Sequence, residues 1–511
     1  MKRISSFLFT ALMFLLVNMV TAQTNQQHVI PGELPDPSII EVYGVYYATG
    51  SSNNWAPFYP IYSSTDLEHW TFLTYVFQEK PAGTISSYWA PELFYHNNTF
   101  YCYYTAKRTD GTSVIGVATS KDITKGFVDK GEIIEWGDEA IDSFVYNEDG
   151  QLYITWKAYG LTQDKPIQIL GSKLSSDGLH LEGEHFSMLT AEVDTWEKGG
   201  IEGQCIVKHN GYLYMLYSGN ACCGGGCDYQ VGVARAKTME GPWEKYSDNP
   251  ILKGNDTWKC PGHGTALATK GGWYYLYHAY NNEGFPYLGR SVLLSQFNWD
   301  ANGWPSFTAE RLEENISTHS FSDGFSASTL AQPWRYDVES YKLKTNLKKG
   351  KLTLIDAKDN KENAIGVMLA ADPQAAKFTY SASLENVNNA LKGLVVYVTN
   401  DNSVGLGVKD DKLILFKIEN GAYTELNNIT LLKKAKVHLK FKVKDAHALK
   451  GSFSYDGVKW TEVYNKLENK KEVVGNHLAW WSWGIKAGLF VKKDERSGDK
   501  KGEFDNFNIA F

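Results

Sequence analysis

A chain of 511 residues is longer than one domain usually runs, and 51 basic against 58 acidic side chains, a formal net charge of −7, leave no basic footprint for nucleic acid. Glycine, tryptophan and tyrosine crowd the first part and lysine the second, so composition divides the chain into at least two domains, the front acidic and the back mildly basic. The lysines are scattered among acids and read as solvated strand faces. Residues 1–22, MKRISSFLFTALMFLLVNMVTA, have a basic start, an apolar middle and a small-residue end, the pattern of a cleaved secretory signal with the mature chain starting near Gln23. The apolar run is short for a membrane span and no cysteine follows it to take a lipid. These features predict an exported protein, periplasmic or extracellular, with no membrane insertion after cleavage.

Residues 23–318 carry a repeat. Five aromatic-rich alternating runs follow five axial residues: GVYYATGSS after Asp36, NTFYCYYTA after Trp89, GQLYITWKAYG after Asp142, GYLYMLYSG after Glu202 and GGWYYLYHAY after His263. Each run reads as a strand buried on one face, and a period of roughly 50–60 residues with several short strands per unit is the signature of a five-bladed propeller. If the blades are equivalent, Asp36, Asp142, Glu202 and His263 ring one axis. Three carboxylates then meet at one mouth, as acid/base chemistry on a glycosidic bond requires.

Within the blades, Pro35 and Pro37 hold the backbone extended around Asp36, which suits an aimed carboxylate, although an aspartate in P-D-P also caps turns. Trp89 offers either a platform for a sugar's apolar face or packing between blades, with Glu92 just beyond it. Asp142 precedes a hairpin turned at Asp149-Gly150, whereas Asp138 lies too far back to match the other blades. All six cysteines, Cys102, Cys205, Cys222, Cys223, Cys227 and Cys260, fall in this part. In an exported chain they suggest bridges, and ACCGGGC could staple a loop near the axis, but pairing cannot be read from sequence. A zinc site lacks paired C-x-x-C units.

LPDPSI, YWAPEL, AIDSF before DGQLYITW, and IEGQCIVKHNGYLYMLYSG occur in the order and spacing of glycoside hydrolase family 43, which the chain resembles over residues 28–315. The resemblance implies a five-bladed propeller that removes arabinose or xylose from plant polysaccharides with inversion. It further implies that Asp36 is the general base, Asp142 the modulator of the acid's pKa and Glu202 the general acid. IDSF lacks the proline that often follows the modulator, and Gln204-Cys205 stands where the family often has Pro-His, so substrate contacts near Glu202 differ. Inversion needs a base and an acid about 6.5–9.5 Å apart across the sugar. A third carboxylate near the acid is expected to keep Glu202 protonated near neutral pH. By the same resemblance His263, in CPGHG, lies in the axial channel, bonding substrate or helping to hold a calcium ion through water, although one histidine is no calcium site by itself. No cofactor is otherwise implied. Arg290 is placed beside the sugar, with a structural ion pair as the rival.

After Trp304-Pro305 the repeat stops. Residues 319–511 read as a second module with the alternating strands KLTLI, KFTYSASLE, GLVVYVT, SVGLGVK, KLILFKI, VHLKFKV and GSFSYDGVKW, a β-sandwich resembling the concanavalin-like domain often appended to these hydrolases. Trp480, Trp481 and Trp483 form either a binding face or core. The expected fold is thus all-β, a five-bladed propeller followed by a β-sandwich. The expected function is release of L-arabinofuranose from plant polysaccharide or oligosaccharide by an exo-acting α-L-arabinofuranosidase. β-Xylosidase, endo-arabinanase and exo-galactosidase remain open, and a non-catalytic glycan-binding propeller is the rival of another class.

Overall fold

The computed structural model describes residues 27–159, 165–307, 318–357, 360, 363–432 and 436–511, so the signal expected over residues 1–22 lies outside the described part. Five sheets make the propeller. The first blade runs Ser38–Val42, Val45–Thr49, Phe58–Ser64 and Thr71–Phe77; the second, Thr84–His96, Thr99–Arg108, Ser113–Ser120 and Val128–Ile134. The third runs Ala140–Glu148, Gln151–Ala158, Gln168–Leu174 and Phe186–Thr190; the fourth, Ile201–His209, Tyr212–Gly219, Gln230–Ala236 and Glu244–Lys245. In the fifth, Trp258–Thr269, Gly272–Asn281 and Ser291–Trp299 are completed by Gln27–Ile30 from the start of the chain and by Pro305–Phe307. The N-terminal strand therefore closes the ring, and the innermost strands touch in sequence round it, the last against the first.

The aromatic runs are the second strands of the blades. Their alternation suggested one buried face, but Leu152–Ala158 and Leu213–Gly219 are buried at every position, because each sheet is packed between two neighbouring blades. Tyr153, Ile206 and Tyr275, from three successive blades, share one apolar cluster. Burial on both sides is why the runs are aromatic throughout: large rings fill the widening space between blades.

The remaining strands form a sandwich of a nine-stranded and a six-stranded sheet around one apolar core. All seven strand segments expected from sequence are present, though the last, Ala448–Ser454, stops before the turn at Asp456-Gly457. The two modules meet through the paired strands Trp55–Ala56 and Tyr336–Asp337, and through the buried Lys486, whose ammonium sits 2.7 Å from both Glu33 and Asp372. No helix of the described residues is long and apolar enough to cross a membrane.

Candidate active site

Four of the innermost strands carry a bulge on the axis where the backbone turns through the left-handed region, at Ala90 (φ 40°), Asp142 (φ 58°), Gly203 (φ 60°) and His263 (φ 45°), and in the first blade the same turn falls at Asp36 (φ 53°), just before the inner strand. An extra residue there re-aims its side chain, and aspartate tolerates this conformation better than most residues. Asp36, Asp142 and His263 therefore share one backbone position. Glu202 does not: it lies one residue earlier, at the register of Trp89 and Ile141, which face Thr105 and Lys157 as Glu202 faces Ser218. The equivalence expected from the repeat is thus off by one in the second blade, where Ala90 and not Trp89 holds the left-handed position, and in the fourth. The left-handed position there must be glycine, because a Cβ on Gly203 would lie 2.6 Å from Cγ of His263.

Despite that offset, Asp36, Asp142, Glu202, Trp89, His263 and Arg290 line a single cavity of about 220 Å3, together with Glu139, Lys157, the Cys222–Cys223 disulfide, and Trp481 and Ser482 from the sandwich. Cys227 and Cys260 form a second bridge that ties the glycine-rich loop to the fifth blade, while Cys102 and Cys205 are buried free thiols. Trp89 donates its indole N–H to Asn53 and meets Trp481 edge to face. Of Trp480, Trp481 and Trp483 in the sandwich only Trp481 is exposed, at the cavity; Trp480 and Trp483 pack on the sandwich core. Asp138 is exposed and outside the cavity.

At one end of the cavity, Oδ1 of Asp36 accepts from Arg290 at 2.8 Å and Oδ2 from the Ser51 hydroxyl at 2.6 Å. Burial pushes this carboxyl up, but the Arg290 guanidinium foremost, with His263 beside it, outweighs that and holds Asp36 well below the usual carboxylate range. Arg290 also donates to the carbonyl of Ser482, so the sandwich fixes it. His278 Nδ1 lies 3.3 Å from Asp36 Oδ1 but accepts the Asp36 amide at 3.0 Å, so the ring is neutral there, in keeping with burial pushing its pKa down to about 4.

At the other end, burial pushes Asp142 up to about 7; the Glu202 and Asp36 charges add to this, and His263 and Lys157 offset only part of it. The Asp142 carbonyl accepts from Gln204, which also reaches the Thr155 hydroxyl, so the residue that departs from the usual family pattern braces two blades. Glu202 accepts from Lys157 at 2.9 Å on Oε2 and from the Tyr229 hydroxyl at 3.0 Å on Oε1. Burial raises it, but Lys157 outweighs that and holds it below its ordinary value. The expectation that Glu202 is the carboxyl raised by its neighbours is corrected in direction: Lys157 sits on Glu202 and holds it down, while Asp142 is the member of the pair pushed up. His263 stands between the ends, its Nδ1 3.4 Å from Asp36 and 3.7 Å from Asp142. Among the described residues no group of three or more His, Cys, Asp and Glu is arranged to hold a metal ion.

Sequence reasoning missed Lys157 and Glu139. Lys157 is hidden in an aromatic strand run and Glu139 stands beside the exposed Asp138 that drew attention instead.

A propeller with three buried carboxyl groups of opposed ionisation around one axial cavity is the architecture of a glycoside hydrolase. Residues 26–305 match the model described as Glycosyl hydrolases family 43, and the chain belongs to that family. Residues 322–510 match the Beta xylosidase C-terminal Concanavalin A-like domain. The Extracellular endo-alpha-(1->5)-L-arabinanase 1 of Bacillus subtilis is 29% identical over 300 residues, covering 54% of this chain and 87% of that protein. The Non-reducing end alpha-L-arabinofuranosidase BoGH43B of Bacteroides ovatus is 26% identical, covering 63% of each. Among solved structures, a xylan beta-1,4-xylosidase from Bacillus halodurans superposes with a TM-score of 0.79 at 22% identity, covering 95% of this chain and all of that one. It shares the two-module fold.

Proposed function

We propose that this glycoside hydrolase is an exported, inverting exo-enzyme that releases terminal L-arabinofuranose from plant cell-wall polysaccharide or its oligosaccharides. The observation that carries the proposal is the single cavity in which Asp36, paired with Arg290, stands across His263 from Asp142 and Glu202; we read Asp36 as the anion and the other two as sharing one proton, in keeping with the directions in which their pKa values are moved. Asp36 takes a proton from water as the water oxygen bonds to the anomeric carbon. The glycosidic bond breaks on the far side, and Glu202 gives its proton to the departing oxygen. Asp142 raises the cost of ionising Glu202 and so returns the proton to it when substrate arrives. A cavity of about 220 Å3 lies below the roughly 300–1,000 Å3 of sites for drug-sized ligands, which favours one terminal sugar over a bound chain. Trp89 and Trp481 flank that space as apolar surfaces for the sugar. No metal or cofactor enters the scheme. Arabinose and export are supported by relatives named as extracellular and as acting on arabinan or arabinofuranosides.

A β-xylosidase is the second reading, favoured by the family description that the sandwich matches. Hydrolysis of aryl α-L-arabinofuranoside, β-D-xyloside and β-D-galactoside under one set of conditions decides the matter. The arabinofuranoside is expected to be cleaved fastest. A faster xyloside supports the second reading, and binding by calorimetry without turnover of any substrate makes the protein a glycan-binding propeller instead.

A further inference from the structure

On the second strand of each blade, or in the first blade just beyond its end, one residue sits opposite the axial left-handed turn: Ser51, Thr105, Lys157, Ser218 and His278. Four of the five perform one task. Ser51 accepts the amide of Ala90 at 2.7 Å, Thr105 that of Asp142 at 3.2 Å, Ser218 that of His263 at 2.7 Å and His278 that of Asp36 at 3.0 Å. Each bulge amide is thereby satisfied by the blade before it, which locks the ring.

Lys157 breaks this pattern. A charged ammonium has three donors and no acceptor, so it cannot serve the amide of the fourth blade's bulge. Its Nζ instead lies 2.9 Å from Oε2 of Glu202 and 3.1 Å from Oε1 of Glu139, with all three side chains largely buried. Burial disfavours the ammonium, but Glu202 and Glu139 together raise its pKa and keep it charged. A position that elsewhere closes a structural hydrogen bond has here been given to a buried cation aimed at one carboxylate, and Glu139 aims it.

We propose that Lys157, anchored by Glu139, is the positioning residue that sets the acid strength of Glu202. The inference rests on the reading of Glu202 as general acid. As the glycosidic bond breaks, its electron pair stays on the departing oxygen, which takes the Glu202 proton; the carboxylate left on Glu202 is then received by the Lys157 ammonium and the Tyr229 hydroxyl. Stabilising that anion favours proton transfer, the more so the poorer the leaving group. Asp142 acts in the opposite sense. The other groups around the pair are His263 from the fifth blade, Asp36 with its partner Arg290, and His278 stacked on Tyr229.

The test uses the full chain and the variants Lys157→Met, Lys157→Arg and Glu139→Gln, with kcat/KM followed against pH on an aryl glycoside and on an oligosaccharide. Lys157→Met is expected to move the alkaline limb upward by about one pH unit and to lower kcat on the oligosaccharide about tenfold or more, with a much smaller loss on the aryl substrate. Lys157→Arg restores most of both. Glu139→Gln removes an anion and moves the limb downward, a sign opposite to that of Lys157→Met, and it carries the test alone if the methionine variant does not fold. An alkaline limb unmoved in folded variants, or equal losses on both substrates in Lys157→Met, overturns the proposal. Glu202→Gln is measured alongside: if it loses activity equally on both substrates, the parent reading of Glu202 fails, whereas a normal Glu202→Gln with a silent Lys157→Met sinks only the role of Lys157.

Discussion

Asp36 and Asp142 are the same residue at the same place in two blades, both buried and both with left-handed backbone, yet they sit at opposite ends of the ionisation scale. Arg290 touches Asp36 at 2.8 Å, and its carboxyl is held well below the usual range; Asp142 has Glu202 for a neighbour and is pushed to about 7. Glu92 extends the comparison. It is buried on the inner strand of the second blade, accepts from Ser38 at 2.6 Å, has no cation among the groups acting on it, and is pushed up to about 8. Burial is common to all three, so the neighbouring charge decides which carboxyl is base and which holds a proton.

The contrast breaks most completely at Asp36. Asp36→Asn removes the carboxylate that Arg290 holds anionic and is expected to lower kcat/KM by about 10³–10⁴-fold whatever the leaving group, because water must still be deprotonated. Steady-state rates on an aryl glycoside and an oligosaccharide measure this. Glu202→Gln comes next: a loss of about 10²–10³-fold on the oligosaccharide, but a much smaller one on an aryl glycoside whose leaving group needs little protonation. Equal losses contradict its role as acid.

Asp142→Asn sharpens the contrast. Taking its negative charge from beside Glu202 lowers the acid's pKa, so the alkaline limb of kcat/KM moves down by about one pH unit, equivalent to about 1.4 kcal/mol, while the acidic limb set by Asp36 stays. An unmoved alkaline limb in a folded variant contradicts the modulator role. The smallest effect is on stability. The Glu92 carboxyl is raised in the folded chain, so its contribution is full below about 4.5, its ordinary value, and is lost as pH rises toward about 8. Thermal melts of Glu92→Gln are therefore expected to fall less between pH 5 and 8 than those of the natural chain; parallel curves contradict the assignment.

Much of this was legible in the sequence because it lies in pattern. Aromatic runs at a steady period gave the blades, and the acids leading them gave Asp36, Asp142 and Glu202. The bulge was not legible: counting residues cannot see that Gly203, not Glu202, occupies the left-handed position, since one inserted residue leaves the period almost unchanged. Lys157 was hidden for a related reason. It stands inside WKAYG, where a lysine reads as the fraying end of a strand; only alignment with Ser51, Thr105, Ser218 and His278 on the neighbouring second strands marks it as the odd member of a ring. Trp480, Trp481 and Trp483 lie in an irregular segment before the strand that starts at Lys486, so no period told them apart: Trp481 faces the cavity while Trp480 and Trp483, either side of it, turn to the core.

The central claim is that Asp36 delivers water to one face of the sugar while Glu202 protonates the oxygen leaving from the other. Proton NMR of the sugar formed in the first minutes of hydrolysis, before mutarotation, tests it without any substitution. The first-formed product is expected to have the inverted anomeric configuration; a first product with retained configuration, or a trapped glycosyl-enzyme, contradicts it.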